Sequence, residues 1–136
     1  VNRQNEALNK SLLENTAITI GRLGYVCPQL GAPRLDTFVQ SWCFSLRNIR
    51  DDIEKEHAFL GLCAMVRLNP RAPVNALAQL CEAFASWQQP PPPELNELIG
   101  QIVHGYKASI PPEQWAQFMG SLHEGVTARL VERYEL

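Results

Sequence analysis

The chain has 136 residues, 46% of them apolar, with four cysteines and a formal charge of −2. That is enough apolar material for one continuous core, while the near balance of charge excludes a general pull toward nucleic acid or an anionic membrane, so a charged partner must be met by a local patch. No apolar run reaches the roughly 18 residues of a membrane span, and the opening VNRQNEALNK is too polar for a secretion signal; a soluble protein is expected, with Val1 read as a cut in a longer chain and Leu136 as a natural end.

The first predicted element starts at Ser11-Leu-Leu-Glu14, which has the capping-box pattern of a helix N-terminus. That predicts a helix from Leu12 to about Val26. Pro28, Gly31 and Pro33 then break the chain, and Pro33 suits the first turn of a second helix ending near Leu46. The loop RNIRDD carries both charge signs. A long helix is predicted from about Asp52 to Leu68, closed at Asn69-Pro70 because the residue before a proline is pushed out of the helical region. Its start, with Asp51, Asp52, Glu54 and Glu56, reads as a solvated acidic turn that favours the positive end of the helix dipole. Pro73 opens a helix to about Trp87, and Gln88 to Pro93 is an extended, stiff connector rather than a docking site for a proline-recognition domain. Helices from Glu94 to about Ala108 and from Pro112 to about Met119 follow, and after Gly120 the charged segment GVTARLVERYEL is expected to cover the last apolar face.

One unit recurs through these elements. LLENTAITIGRLGYVCP ends at Pro28, EKEHAFLGLCAMVRLNP at Pro70 and NELIGQIVHGYKASIP at Pro111, steps of 42 and 41 residues. A period in the low forties with two helices and no strand per unit is the mark of HEAT-type solenoids, whose helix pairs bury their apolar faces only against neighbours. The fold class expected is all-α: one solenoid segment over residues 1–136, with repeats at about 11–47, 51–88 and 93–120 and a capping helix at 122–136. Such an architecture points to a binding surface before a catalyst.

Nothing in the motifs argues for chemistry. Cys27, Cys43, Cys63 and Cys81 form no CxxC pair and fall among Val, Phe, Leu and Ala, where a reduced thiol behaves as a small core hydrophobe. His57, His104 and His123 fall in no ligand spacing, and no nucleophile elbow or phosphate-binding glycine loop is present. No enzyme, metal or cofactor is expected.

The residue that stands out is Ile18. At about 100° per residue, Leu13, Ala17, Ile20 and Gly24 form one stripe facing the core, and Ile18 falls about 140° away among Glu14, Asn15, Arg22 and Tyr25. Two readings stay open: a desolvated contact for an extended peptide, with Asn15 bonding the peptide backbone, or packing against a neighbouring helix. One repeat later, with Ala58 in the place of Ala17, the polar side of the helix carries Asp52, Glu56 and Arg67, with Leu60 and Cys63 between them. Mixed acidic and apolar character of this kind suits a basic, partly hydrophobic peptide.

SLLENTAITIGRLGYVCP, SLRNIRD, EKEHAFLGLCAMV with its closing NP, and ARLVERYEL together resemble the C-terminal HEAT repeats of the transportin, or karyopherin-β2, family within the importin-β superfamily. The resemblance covers nearly the whole chain. It departs from the animal members in the proline-rich connector and in helix 73–87, which fits a fungal or other divergent relative. It implies a nuclear import receptor that shuttles between cytoplasm and nucleus. On its inner, concave helices such a receptor binds a disordered proline-tyrosine-class localisation signal of cargo proteins, RNA-binding proteins among them. It further implies release by Ran-GTP bound at N-terminal repeats that this chain lacks, contact with nucleoporins, and no cofactor, direct nucleic acid or membrane.

Carried over within ENTAI, the cargo-contacting Asn and Ile correspond to Asn15 and Ile18. Glu14, Thr19 and Arg22 beside them, and Asp52, Glu56 and Leu60 on the next inner helix, complete the expected cargo-peptide surface. The alternative is a HEAT scaffold that holds a folded protein partner, on helices 33–46 and 73–87 or at its N-terminal edge.

Overall fold

Eight α-helices and two 3-10 turns, with no strand, make up residues 3–136, the part of the chain that this computed structural model describes, with side chains from residue 5 onward. Val1, where a cut was expected, lies outside the described residues. The helices are α1 (Arg3–Val26), α2 (Pro28–Gly31), α3 (Leu35–Leu46), α4 (Ile53–Leu68), α5 (Leu77–Phe84), α6 (Pro93–Ser109), α7 (Pro112–Ser121) and α8 (Glu124–Tyr134). The all-α solenoid expected from the repeat is what forms. α1, α4 and α6 lie side by side as one layer, α3 and α5 pair in a second, and α8 closes against both α5 and α6. The repeat step places Ala17, Ala58 and Ile99 at equivalent positions, and all three are buried.

Several boundaries differ from the sequence reading. Ser11 is not a cap: α1 begins two turns earlier, and Ser11 is exposed in its middle. The preceding RQNEALNK contains no glycine or proline and is built of residues that tolerate or favour helix, so the helix propagates through the capping-box pattern. Pro33 opens no helix directly; it sits in a 3-10 turn, Ala32–Arg34, that hands over to α3 at Leu35. The helix expected from Pro73 to Trp87 is likewise shorter, with a 3-10 turn at Val74–Ala76 before α5. Asp52 does start α4, as its N-cap, its carboxylate accepting from the Lys55 N–H at 3.0 Å.

The join of α1 to α4 is unusually close, and small residues are the cause. A Cβ added at Gly61 would overlap the Gly21 carbonyl oxygen, and one added at Gly21 would overlap the Ala58 backbone. The indole N–H of Trp42 on α3 donates to the Ala17 carbonyl at 2.9 Å, tying the second layer to the first beneath this contact. Further along, the Tyr106 hydroxyl donates to the Pro70 carbonyl at 2.6 Å, and Arg129 on α8 donates to the carbonyls of Ala85 and Trp87 at 2.8 and 3.1 Å. The bonds to Pro70, Ala85 and Trp87 satisfy carbonyls in the segments that follow α4 and α5.

Cys43, Cys63 and Cys81 are core thiols, as expected, and Cys27 at the α1–α2 junction is half-buried; none forms a disulfide. Burial pushes the thiols of Cys63 and Cys81 up to about 12 and that of Cys43 higher still. Among the described residues no helix is long and apolar enough to cross a membrane.

Candidate functional site

α1 has three faces. Ala17, Gly21 and Gly24 are buried against α4. On the opposite side Leu8, Leu12, Leu23 and Val26 form an exposed apolar row. Leu13, expected in the core stripe, is exposed as well, because α1 runs on beyond the start of α4 and nothing covers it there. The third face, between these two around the helix, carries the residues singled out in the sequence.

On that face Ile18 is half-buried and packs against the core at the edge of the α1–α4 seam. Its position combines the two sequence readings: part of the side chain rests on the core and part reaches solvent. Glu14 is half-buried, while Asn15, Thr19 and Arg22 are exposed. The Thr19 hydroxyl donates to the Asn15 carbonyl at 2.8 Å, so its proton is used within the helix. The side chains of Asn15 and Arg22 make no hydrogen bond or ion pair with the described residues, and their polar groups are open to a partner.

The neighbouring strip of α4 carries Glu56 and Leu60, both half-buried, with Leu60 packed against the core. Asp52 stands apart from them. It caps the helix and lies 3.7 Å from the Arg50 guanidinium, so its carboxylate is already engaged. Two residues absent from the sequence-derived set join this surface. Tyr25 reaches back along the seam and stacks on His57, ring centroids 5.5 Å apart and planes 7° from parallel. Tyr25 lies seven residues after Ile18 and so on the same helix face, a signal the sequence did contain; His57, weighed only as a metal or catalytic ligand, becomes half of an aromatic platform. The result is a surface with apolar centres at Ile18, Leu60 and the stacked pair, ringed by Asn15, Arg22, Glu14 and Glu56.

The acidic start of α4 proves less solvated than it reads in sequence. Lys55 is wholly buried, its ammonium 2.8 Å from an Asp51 carboxylate oxygen, 4.7 Å from the centre of the Trp87 ring and 5.7 Å from that of Phe59. Burial lowers the Lys55 pKa against the raising effect of Asp51. Partial burial alone would raise the Asp51 pKa, but the hydrogen bond from Lys55, another from the Gln88 backbone N–H at 2.7 Å and the ammonium charge outweigh it and hold the carboxyl below the usual range. The pair thereby pins the loop before α4 to the proline-rich connector.

No family model matches the chain. It is 50% identical to "Transportin-1" of Oryza sativa subsp. japonica over 125 residues, 92% of this chain and 14% of that protein. To "Transportin-1" of Homo sapiens it is 46% identical over 134 residues, 98% of this chain and 15% of that protein. To "Importin subunit beta-2" of Schizosaccharomyces pombe it is 37% identical over 97 residues, 71% of this chain and 10% of that protein. The chain thus spans a small part, 10–15%, of the length of these curated relatives.

Proposed function

Since this chain is a transportin-family homologue along nearly its whole length, we propose that it is the cargo-binding C-terminal portion of a nuclear import receptor, and that its ligand is a disordered localisation signal of the proline-tyrosine class. The observation that carries this reading is the face shared by α1 and α4, where apolar side chains are left partly open beside polar groups without internal partners. An extended peptide needs both. Ile18, Leu60 and the Tyr25–His57 stack offer desolvated contact, and the Asn15 amide offers a donor and an acceptor to a peptide backbone. Glu14 and Glu56 favour basic residues in the signal, while Asp52, engaged by the helix cap and Arg50, takes no direct part, and Thr19 and Arg22 border the track.

In this reading α1, α4 and α6 are the inner, concave helices, and the function is binding, with no cofactor and no catalysis. Ran-GTP acts through repeats outside this chain, nucleoporins are further partners, and the receptor moves between cytoplasm and nucleus. The scaffold alternative has less support: on α3 the large exposed apolar residue is Phe44, covered on one side by the Arg47 guanidinium 4.0 Å from its ring centre. The row of Leu8, Leu12, Leu23 and Val26 is in this view the surface on which a further repeat stacks.

The test is Ile18→Asp, titrated with a fluorescently labelled signal peptide carrying basic and hydrophobic residues ahead of its proline-tyrosine end. Binding should weaken by more than about 1.5 kcal/mol, the scale of burying a branched aliphatic side chain, with helicity by circular dichroism unchanged. Undiminished affinity would refute the assignment of this face.

A further inference from the structure

The α1–α4 seam is closed by glycine and alanine, but the next seam is not. Between the second and third repeats the helices stand apart around Tyr106, whose ring bridges from α6 to the Pro70 carbonyl, and a cleft of about 1030 Å³ is left open. One wall comes from the C-terminal end of α4, the loop after it and α5, with Val66 and Leu77 inside. The other comes from α6 and α7, with Ile102, Ile110 and Phe118. None of the residues that make up the α1–α4 face described above lines this cleft.

The charge around this cleft is one-sided. Among the described residues, Arg67 and Arg71 are its only ionisable lining groups besides the Tyr106 phenol, and the remaining polar lining is made of neutral amides and one serine hydroxyl. No aspartate or glutamate lines it, although acidic residues outnumber basic ones in the chain, 14 to 12. Both arginines are exposed, and their side chains make no ion pair or hydrogen bond with the described residues. Two uncommitted guanidinium groups at the edge of an apolar trough are complementary to a carboxylate flanked by apolar side chains, since guanidinium matches a carboxylate in bidentate geometry and the trough supplies the desolvated anchor. A basic signal of the kind proposed for the α1–α4 face would be repelled here.

We infer that the cleft between the second and third repeats is a second peptide site, specific for an acidic, apolar-anchored segment of another protein and read by Arg67 and Arg71. The floor takes leucine or phenylalanine side chains, and the arginines take an aspartate or glutamate between them. Because its charge preference is opposite, this site works whether or not the α1–α4 face binds a localisation signal.

The experiment titrates the full 136-residue chain with a labelled peptide of alternating leucine, phenylalanine and aspartate, and with the same peptide carrying asparagine for each aspartate. The acidic peptide should bind at least about tenfold more tightly than its neutral counterpart, an advantage that shrinks with added salt. Arg67→Glu with Arg71→Glu should abolish that advantage; Arg67→Gln with Arg71→Gln, checked for helicity, repeats the test without adding charge. Ile18→Asp should leave the acidic peptide's affinity unchanged, which separates this site from the other face. Equal binding of the two peptides, no effect of either arginine pair, no binding at all, or preference for a single-stranded RNA of similar length would overturn the inference.

Discussion

Removing the carboxylate that faces the buried ammonium, by Asp51→Asn, should destabilise the chain out of proportion to the position's exposure. Lys55 has no access to solvent, and Asp51 supplies its 2.8 Å ion pair. Breaking a buried pair by removing one partner costs about 3–5 kcal/mol, because the remaining charge is left uncompensated. Two features reduce that here: the Asp51 side chain is 25% exposed, so water reaches one end of the pair, and the Trp87 and Phe59 rings stay in place over the ammonium. The aromatic faces retain about 1 kcal/mol of attraction, which sets the expected loss near the lower end, about 3 kcal/mol. Lys55→Met should cost distinctly less, because it removes the buried charge and leaves Asp51 with water and the Gln88 N–H. The double variant should lie close to Lys55→Met alone. Urea unfolding at pH 7, followed by far-ultraviolet circular dichroism and by the fluorescence of tryptophan, measures all three.

The pH dependence provides an independent reading of the same pair. The Asp51 pKa is lowered in the fold, so its contribution is fully present above the unfolded carboxyl pKa of about 3.9 and is lost as pH falls through the lowered folded value. Lys55, also lowered in the fold, gives a slope of the same sign at the alkaline end: its buried charge is a penalty at neutral pH, and stability is gained as pH rises through the folded value toward the unfolded value of about 10.4. The Asn variant should lose the acid-limb component of Asp51. A cost for Asp51→Asn below about 1 kcal/mol, or one smaller than that of Lys55→Met, would refute the view that an unpaired buried ammonium is what the carboxylate prevents.

Gly61→Ala should force α1 off α4, since the added methyl meets the Gly21 carbonyl, which is backbone and cannot swing aside; the expected cost is about 3 kcal/mol, and hydrogen exchange should show lost protection along residues 12–26 with little change in α6 and α8. Under native conditions a water-soluble disulfide reagent at pH 8 should modify Cys27 and leave Cys43, Cys63 and Cys81 untouched until urea unfolds the chain, because burial raises their thiol pKa and blocks access; rapid modification of all four would contradict the packing of the core.

What the sequence determined by itself was the part governed by local and periodic rules. Proline after an apolar helix, three times at steps of 42 and 41 residues, was enough for the helix pairs and for their stacking as a solenoid, because each stop depends on backbone geometry within a few residues. The same periodicity placed Asn15, Ile18 and Arg22 on one side of α1. Only the tertiary structure decided what lies across a seam. The closeness of α1 and α4 depends on Gly21 and Gly61, which meet only after folding. Lys55, in a stretch that reads as a charged, solvated helix start, is buried because the Trp87 ring and the Asp51 carboxylate are brought over it from outside its helix. Asp52, whose charge looked available to a ligand, is consumed by the cap. Ser11 has a cap's pattern without its role, since a helix that can nucleate earlier runs through it. The cleft beside Tyr106 exists because side-chain volume, and not pattern, sets how far apart two stacked helices stand.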